Sequence, residues 1–412
     1  MKKTVQEGPA SGSTVLLVLL SASVISCTGP TAPDAPEAPA VSAELARTSS
    51  PFSYSRTISV NDDRRPLTDL SDFPVLISGT FDGGGNGSDR TPDLRTTANG
   101  GKVQSANGYD VGFYTEKDCS TGKMSWETEQ YSAATGEVAY WVRVPAVYHE
   151  KNTVFYLCYG NSAITTDQSS RASVWDAGYL AVWHLADHGG LDLSSSTANG
   201  FPFTNSGPVA AAPGKIGGGT NKFLDATYYL DNASVSIPAD GAVTISLWKK
   251  LLAADDYPAN PEVDGNHISF ALGASHDDPN SMTLWAPYFL DVFWYYALEG
   301  PSSENFGVDY SGYYDRWAYI TVVYDPAADR LKALYLDGSL VGSTTNGPTT
   351  SGPVTGFRIG QSRDDHHGPD PSQFDEVRIS STARSADWIK TEFENQNDPG
   401  SFYRLGPEKR FR

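Results

Sequence analysis

Two glutamates separated by one residue form the first group that could do chemistry. Glu127 and Glu129 lie in the segment Trp126-Glu127-Thr128-Glu129, which has the composition of a β-strand. Side chains at i and i+2 share one face of a strand, so this pair could hold a cation or act as general acid and base. The alternative is a solvated strand edge, with Trp126 and Thr128 turned toward the core. We favour the solvated edge.

A second group combines histidines with carboxylates. Asp364-Asp365-His366-His367 and Asp370 lie in a stretch rich in glycine and proline. Imidazole and carboxylate groups are ligands for transition metals, although acidic loops of this kind are usually just solvated. The sequence contains no Gly-x-Ser-x-Gly, His-Glu-x-x-His, phosphate loop or cysteine metal cluster. Nothing positions a nucleophile, so we expect a protein that binds rather than catalyses.

Aromatic residues supply a third kind of chemistry. Flat aromatic faces stack on sugar C–H groups while polar neighbours bind the hydroxyls. Residues 284–296 and 310–317 are dense in tryptophan and tyrosine. Strand alternation would bury one set of side chains and leave the other on the sheet surface, so we expect two or three of the following to be exposed. The candidates are Trp285, Trp294, Tyr296, Tyr313 and Tyr314.

The elements that would position these groups are strands. Aromatic and β-branched residues gather in short runs between clusters of Gly, Asn, Asp, Ser and Pro, and 12% of the chain is aromatic. This pattern predicts an all-β protein with many turns. Strands are predicted over residues 54–60, 73–77, 138–144, 153–159, 243–248, 317–324, 331–336 and 357–361.

One hairpin and one helix have clear local signals. Asp337-Gly338 predicts the tight turn of a hairpin over residues 330–341, because these residues tolerate positive φ. A single short helix is predicted over 385–395, near the C-terminal end of the chain. Ser385 can cap its N-terminus, and its apolar face consists of Trp388, Ile389 and Phe393.

The first 27 residues have the form of an export signal. Lys2 and Lys3 precede an apolar run over residues 15–25 that is too short for a comfortable membrane span. Val24-Ile25-Ser26-Cys27 resembles the lipobox of bacterial lipoproteins, in which the cysteine is diacylated. Two acyl chains anchor a protein stably. We expect removal of residues 1–26 and a lipid on Cys27, at an outer membrane or cell surface; the alternative is an ordinary secretory signal.

The composition of the remaining chain indicates its organisation. Residues 27–51 are rich in Pro, Ala and Ser and predict an extended tether. Residues 52–172 and 173–405 then form two domains of ordinary size. The formal net charge of −19 argues against nucleic acid as a partner and against a polybasic membrane contact. Cys119 and Cys158 either pair in a disulfide or remain unpaired, and both alternatives stay open.

Residues 173–405 resemble the laminin-G-like branch of the concanavalin A-like jelly rolls. The motifs that carry the resemblance are Val182-Trp-His-Leu185, Asp192-Leu-Ser-Ser195, Val243-Thr-Ile-Ser-Leu-Trp248, Arg316-Trp-Ala-Tyr319, Leu334-Tyr-Leu-Asp-Gly338, Phe357-Arg-Ile-Gly360 and Phe374-Asp-Glu-Val-Arg-Ile379. The resemblance implies a structural calcium ion near Asp192 and Asp375, with Asp187 and Asn199 as less secure ligands. The alternative is that Asp375 pairs with Arg378 or caps a turn.

Residues 52–172 resemble a bacterial family of domains of unknown function that often precedes such a jelly roll. The resemblance rests on Leu70-Ser-Asp-Phe-Pro-Val-Leu-Ile77, Asn107-Gly-Tyr-Asp-Val-Gly-Phe113, Trp126-Glu-Thr-Glu129, Tyr140-Trp-Val-Arg-Val-Pro145 and Tyr156-Leu-Cys-Tyr-Gly-Asn161. It implies a β-sandwich-like domain and no particular chemistry. Cys158 stands where the family usually has tyrosine, which slightly favours a local disulfide.

The resemblance also sets a test for hydrolase activity. Glucanases of the concanavalin A-like fold carry Glu-x-Asp-x-x-Glu on a strand, which places nucleophile and acid on one face. In this chain Glu262-Val263-Asp264 comes nearest, but His267 occupies the third acidic position. We therefore expect a lipid-anchored surface protein that binds polysaccharide or glycoconjugate through its jelly roll. The alternatives are an adhesion protein with a protein partner and, less favoured, a hydrolase.

Overall fold

A computed structural model describes most of the chain from residue 50 onward. The described residues are 50–85, 91–185, 190–225, 227–251, 267–275, 280–288, 292–297, 306–309, 311–346, 349–364 and 370–411, without the side chains of 286–288, 292–297, 306–307 and 311. The predicted signal peptide, Cys27, nearly all of the predicted tether, Asp187, Asp365, His366 and His367 lie outside them. Within the described part, no helix has the length and apolar character needed to cross a membrane.

The secondary structure is almost entirely β, as the sequence predicts. The first strands are β1 (Tyr54–Val60), β2 (Leu70–Thr80), β3 (Val111–Tyr114), β4 (Trp126–Tyr131), β5 (Glu137–Val147) and β6 (Val154–Tyr159). They are followed by β7 (Tyr179–Trp183), β8 (Thr204–Ser206), β9 (Ala211–Pro213), β10 (Gly218–Thr220), β11 (Tyr229–Ile237), β12 (Val243–Leu251), β13 (Ile268–Leu272), β14 (Met282–Tyr288), β15 (Val292–Ala297) and β16 (Phe306–Asp309). The last strands are β17 (Trp317–Asp325), β18 (Leu331–Leu336), β19 (Ser339–Thr344), β20 (Val354–Ile359), β21 (Ser372–Ser380), β22 (Tyr403–Leu405) and β23 (Lys409–Arg410). The helices are α1 (Arg171–Val174), α2 (Ala386–Asn397) and α3 (Pro399–Phe402).

Two antiparallel sheets form the first sandwich. One has the strand order β2-β5-β4, and the other has the order β22-β1-β6-β3, with β23 also paired to β1. Their inner faces meet in a buried apolar core. Phe113 of β3, for example, makes edge contacts with the rings of Trp126 in β4 and Tyr140 in β5. The strands therefore alternate apolar residues toward a shared interior, as the predicted sandwich requires.

The second sandwich is the larger one. A seven-stranded sheet with the order β16-β15-β14-β13-β20-β11-β8 faces a six-stranded sheet with the order β19-β18-β17-β12-β21-β7. Alternate residues fill the space between them, including Ile245 and Leu247 of β12 and Phe357 and Ile359 of β20. Short strands β9 and β10 form a separate hairpin. This arrangement confirms the predicted jelly-roll sandwich.

The local predictions for the hairpin and the helix are confirmed. Strands β18 and β19 are antiparallel neighbours, and Asp337 and Gly338 at their turn have φ of 48° and 74°. The Ser385 side chain accepts a hydrogen bond from the Trp388 backbone N–H at 3.1 Å. Helix α2 starts directly after this cap, and Trp388 and Ile389 are buried.

Helix α2 also fastens the two sandwiches together. The Asn395 side chain accepts a hydrogen bond from the Leu76 N–H at 2.7 Å and donates one to the Leu76 carbonyl at 3.0 Å. These bonds satisfy the backbone of β2 at the sheet edge that β5 does not cover. After the helix, β22 and β23 return to β1, so the chain from Thr48 to Arg412 forms one compact unit.

Cys119 and Cys158 form a disulfide in the structure, with their Cα atoms 6.4 Å apart and a sequence separation of 39. Both are buried beside Phe52. Replacing both cysteines by alanine is expected to lower the free energy of unfolding by about 3–4 kcal/mol, because the crosslink restricts the unfolded chain. Urea unfolding of the oxidised unmodified chain and of the variant measures this difference in the free energy of unfolding. Reductant should destabilise the unmodified chain similarly and leave the variant unchanged; an unmodified chain indifferent to reductant would contradict the prediction.

Candidate functional site

The predicted sugar-binding aromatics begin with β14 of the seven-stranded sheet. Met282 and Leu284 of this strand face the core between the sheets, so Trp285 lies on the outer face. Trp285 is 6% exposed and is therefore not one of the freely exposed aromatics that the sequence predicts. Trp294 is its register partner in β15, and Tyr296 lies two residues further along that strand. The side chains of Trp294 and Tyr296 are outside the described part.

Tyr313 and Tyr314 lie elsewhere, just before β17. Both are half-buried and pack against the edge of the jelly-roll core. Tyr314 forms a parallel bridge with Leu251 at the end of β12, and the Arg316 guanidinium lies 4.2 Å from the centre of the Tyr313 ring. These two tyrosines therefore adjoin the six-stranded sheet rather than the strand that carries Trp285.

The outer face of the seven-stranded sheet also carries a charged pair. Asp231 of β11 and Arg358 of β20 are register partners, and Arg358 Nε donates to Asp231 Oδ1 at 2.9 Å. The Tyr229 ring centre lies 3.8 Å from the guanidinium carbon of Arg358. Arg358 is in turn the register partner of Ala271 in β13, and Ala271 packs in a small buried cluster with Trp285. We call Asp231, Arg358, Tyr229 and Trp285 the outer-face cluster.

The predicted calcium ligands have separate partners. Asp192 Oδ1 accepts a hydrogen bond from the Ser194 N–H at 2.9 Å, and its Oδ2 lies 3.4 Å from Arg171 Nη2. Asn199 is exposed and donates to the Leu180 carbonyl at 2.9 Å. Calcium binding by these residues stays a prediction.

Asp375 is fully buried and holds a turn. Its Oδ2 accepts hydrogen bonds from the N–H groups of Lys215 and Ile216 at 2.7 and 2.8 Å, and its Oδ1 accepts one from the Glu376 N–H at 2.8 Å. Burial and the nearby Glu376 and Glu129 raise the pKa of Asp375, against the lowering effect of the two amide hydrogen bonds. The turn-capping alternative matches these contacts, while Arg378 pairs with Glu376 and Glu392 instead.

Two aspartates of the acidic loop before β21 lie in different environments. Asp364 is exposed, and its Oδ2 accepts a hydrogen bond from Ser275 Oγ at 2.7 Å. Asp370 is instead fully buried and lies 2.5 Å from Lys249 Nζ. The prediction of a solvated loop is therefore wrong for Asp370, because a buried lysine from β12 supplies its counter-charge.

The prediction of a solvated edge for Glu127 and Glu129 is wrong. The two glutamates are 4% and 2% exposed. Strand β4 is the edge of its own sheet, but residues of the second sandwich cover it. A register irregularity between Thr128 and Gln130 interrupts its alternation, and Thr128 is only half-buried. Both carboxylates point into a charged interior that the local sequence could not reveal.

His184, just after β7, lies at the centre of this interior. Its Nδ1 is 2.7 Å from Glu376 Oε1 and 3.6 Å from Glu129 Oε2, and its Nε2 is 3.2 Å from Glu127 Oε2. The imidazole also stacks on Trp141 with ring centres 5.6 Å apart. One histidine thus contacts three buried carboxylates contributed by both sandwiches.

Further residues complete the cluster. Glu127 accepts hydrogen bonds from Trp175 Nε1 at 3.1 Å and Ser196 Oγ at 2.7 Å, and it pairs with Arg171 at 2.8 Å. Arg378 bridges two other carboxylates, with Nη2 at 2.5 Å from Glu376 Oε2 and Nη1 at 2.5 Å from Glu392 Oε1. Such pairing is what makes buried charges tolerable. We call the set consisting of Glu127, Glu129, His184, Glu376, Arg378 and Glu392 the central cluster.

The crowding of carboxylates changes their protonation. Burial and the charge of Glu376 raise the pKa of Glu129 to about 8. Burial alone would lower the pKa of His184, but Glu376 and Glu127 hold it well above its usual value. Burial would raise the pKa of Glu127, yet His184 and Arg171 lower it. Near neutral pH the cluster therefore contains an imidazolium, an ionised Glu127 and a largely protonated Glu129.

The sequence did not reveal the joint role of His184, Glu376 and Arg378. The first two entered only as parts of strand motifs, and Arg378 also as a possible partner of Asp375. The available signal was the presence of charged residues inside the apolar run Phe374-Asp-Glu-Val-Arg-Ile379. Charged side chains are fully buried almost only when they are paired. A strand with this composition inside a core therefore indicates an ionic network.

Comparison with known protein families identifies the fold of a large part of the second sandwich. Residues 224–390 match the sequence profile of the concanavalin A-like lectin/glucanases superfamily. This region is a concanavalin A-like domain. Among curated proteins, none matches the chain.

Solved structures that are similar to part of this chain include a domain of an arabinanase and two domains of botulinum neurotoxins. Domain 4 of AbnA, a GH43 extracellular arabinanase from Geobacillus stearothermophilus in complex with arabinotriose, is 20% identical, with 52% of this chain and 98% of that chain covered and a TM-score of 0.39. The botulinum neurotoxin type G receptor binding domain is 10% identical, with 53% and 52% covered and a TM-score of 0.42. The serotype D ligand binding domain in complex with N-acetylneuraminic acid is 15% identical, with 53% and 51% covered and a TM-score of 0.39. This chain spans about half the length of the two neurotoxin structures. At these identities and TM-scores, no ligand can be transferred.

Proposed function

We propose that this protein is a lipid-anchored, surface-displayed binding protein that recognises polysaccharide or glycoconjugate through its concanavalin A-like domain. The outer-face cluster carries this proposal. It combines an aromatic ring, Tyr229, with the preorganised Asp231–Arg358 pair on one sheet face. Sugar sites need this combination, because aromatic faces contact C–H groups and fixed polar groups bind hydroxyls.

Binding is better supported than catalysis by the placement of the acidic residues. Glu127 and Glu129 are the paired carboxylates that the sequence offers for acid and base work, but both are buried. A polysaccharide chain cannot reach them in this conformation. The outer-face cluster, in contrast, includes the half-buried Tyr229 and Asp231, which solvent and a ligand can contact.

A glycan array probed with the full chain, with and without calcium, tests the proposal. We expect a defined set of glycans to bind. Tyr229→Ala should weaken binding of the best glycan about tenfold, because an aromatic contact contributes about 0.5–1.5 kcal/mol beyond the area it buries. Tyr313→Ala, a matched tyrosine beside the other sheet, should bind like the unmodified chain.

Each other result would contradict a specific part of the proposal. An array without binding would exclude these sugars and favour a protein partner. Full affinity in Tyr229→Ala together with a loss in Tyr313→Ala would move the sugar site to the edge of the six-stranded sheet. Isothermal titration with the best glycan gives the affinities that separate these results.

A further inference from the structure

Three side chains from different strands converge at one buried point of the central cluster. Glu129 comes from β4, His184 follows β7 and Glu376 comes from β21. One nitrogen or oxygen atom of each lies within 4.8 Å of the other two. Ligand atoms on a common zinc ion, each about 2.0–2.2 Å from the metal, are separated by roughly 3–3.5 Å. Small side-chain adjustments would bring these three atoms to that spacing.

Each of the three side chains also contacts a further residue that fixes its orientation. The pairs are His184 Nε2 with Glu127 Oε2 at 3.2 Å, Glu129 Oε2 with Trp141 Nε1 at 2.7 Å and Glu376 Oε2 with Arg378 Nη2 at 2.5 Å. Metal ligands are typically held in this way, with the histidine donating its other N–H to a carboxylate and the carboxylates themselves hydrogen-bonded. The contact with Glu127 leaves Nδ1 as the ligand atom of His184, on the side of Glu129 and Glu376.

One buried carboxylate oxygen of this group is unsatisfied among the described residues. Glu129 Oε1 makes no hydrogen bond in the described part of the chain, although the Glu129 side chain is 0% exposed. The nearby Gly217 gives this oxygen room, since a Cβ there would lie 2.6 Å from it. Burying an unsatisfied carboxylate oxygen is costly. A cation bound to the same carboxylate would offset that cost.

The charge balance around this point also favours a cation. The buried carboxylates in this part of the described chain are Glu127, Glu129, Asp375, Glu376 and Glu392. The cationic side chains that contact them are His184, Arg171 and Arg378. As metal ligands, Glu129 would be ionised and the His184 imidazole neutral, which would leave excess negative charge at this point. A divalent cation would offset that charge, which is unfavourable when it is buried without compensation.

We propose that Glu129, His184 and Glu376 bind one divalent transition-metal ion, with zinc as the test case. An imidazole nitrogen with two carboxylate oxygens suits zinc, whereas calcium takes six to eight oxygen ligands. The ion would join β4 of the first sandwich to β7 and β21 of the second. Its role is therefore to fasten the two sandwiches, and it is independent of sugar binding at the outer face.

Zinc uptake by the full chain tests the proposal. After treatment with chelator, the protein is expected to take up one equivalent of zinc, measured by elemental analysis and by competition with a chromogenic chelator. Glu129→Gln should weaken zinc binding at least tenfold, while its amide oxygen can still accept the hydrogen bond from Trp141. Glu137→Gln makes the same change at an exposed position of β5 in the same sheet and should bind zinc like the unmodified chain.

Two further arms keep the result interpretable. The double variant His366→Gln with His367→Gln should retain zinc; if it loses zinc, the ion belongs to the acidic loop and the proposal is overturned. Cobalt added to the unmodified chain should give visible absorption bands that zinc abolishes, a readout that does not depend on any variant folding. Absence of both stoichiometric zinc and cobalt bands would overturn the proposal, as would unchanged zinc affinity in folded Glu129→Gln.

Discussion

Replacing Arg378 by methionine is expected to lower the free energy of unfolding by about 3–5 kcal/mol, because it removes one member of a buried ionic network. Arg378 is 1% exposed and lies 2.5 Å from a carboxylate oxygen of Glu376 on one side and of Glu392 on the other. Without the guanidinium, two buried carboxylates lose their shared counter-charge. The cost of leaving buried charges unpaired then falls on the folded state alone.

Methionine separates charge from packing at this position. The guanidinium lies 4.3 Å from the ring centre of Trp141 and 4.9 Å from that of Trp175. An unbranched thioether of similar length fills this space and contacts aromatic rings favourably. The loss of stability in Arg378→Met should therefore report the charge mainly. Arg378→Lys keeps the charge but lacks the planar guanidinium. Its free energy of unfolding should therefore lie between those of the unmodified chain and Arg378→Met.

Urea unfolding followed by tryptophan fluorescence measures the effect. Arg316→Met is the matched control, because Arg316 is 44% exposed in its side chain and pairs with Asp337 at 2.9 Å. Surface pairs contribute about 0–1 kcal/mol, so this control should unfold near the midpoint of the unmodified chain. Equal midpoints for Arg378→Met and Arg316→Met would show that the central cluster does not depend on Arg378.

The fold could be predicted from the sequence where its signals are local. Strands β1 and β18 have the predicted bounds, and α2 begins directly after the predicted cap, because strand alternation and capping act over a few residues. The return of β22 and β23 to β1 could not be predicted. It joins Tyr54 to Arg410, and short strands with a distant partner carry no periodicity of their own.

The central cluster was hidden for the same reason. Glu127 and Glu129 lie on an edge strand, which the alternation rule places in solvent on one face. Their burial depends on His184, which is 57 residues from Glu127 in sequence, and on Glu376, which lies still farther along the chain. The outer-face cluster could be predicted in part, because Trp285 is among the sugar-binding candidates that the sequence offers. The pairing of Asp231 with Arg358 depends on the register of β11 with β20 and therefore required the structure.

Lys249→Met is expected to lower the free energy of unfolding by about 3–5 kcal/mol, since it leaves a buried aspartate without its counter-charge. Lys249 and Asp370 both have fully buried side chains, with Nζ 2.5 Å from Oδ2. Lys249 Nζ also donates to Ser269 Oγ at 2.7 Å, so this side chain connects β12 of one sheet to β13 of the other. Burial lowers the pKa of Lys249, and the nearby Asp370 opposes this effect. The charged form of the buried lysine is therefore favoured by its carboxylate partner.

Adding Asp370→Asn to Lys249→Met tests that dependence directly. The double variant removes both charges, and replacing a whole buried ion pair is commonly close to neutral. It should therefore recover at least half of the stability lost in Lys249→Met. Because the two side chains are in contact, their effects should not add. Lys250→Met, at the half-buried neighbouring position, controls for the loss of a lysine. If the double variant is as unstable as the sum of the single ones, the two charges do not stabilise the concanavalin A-like domain as a pair.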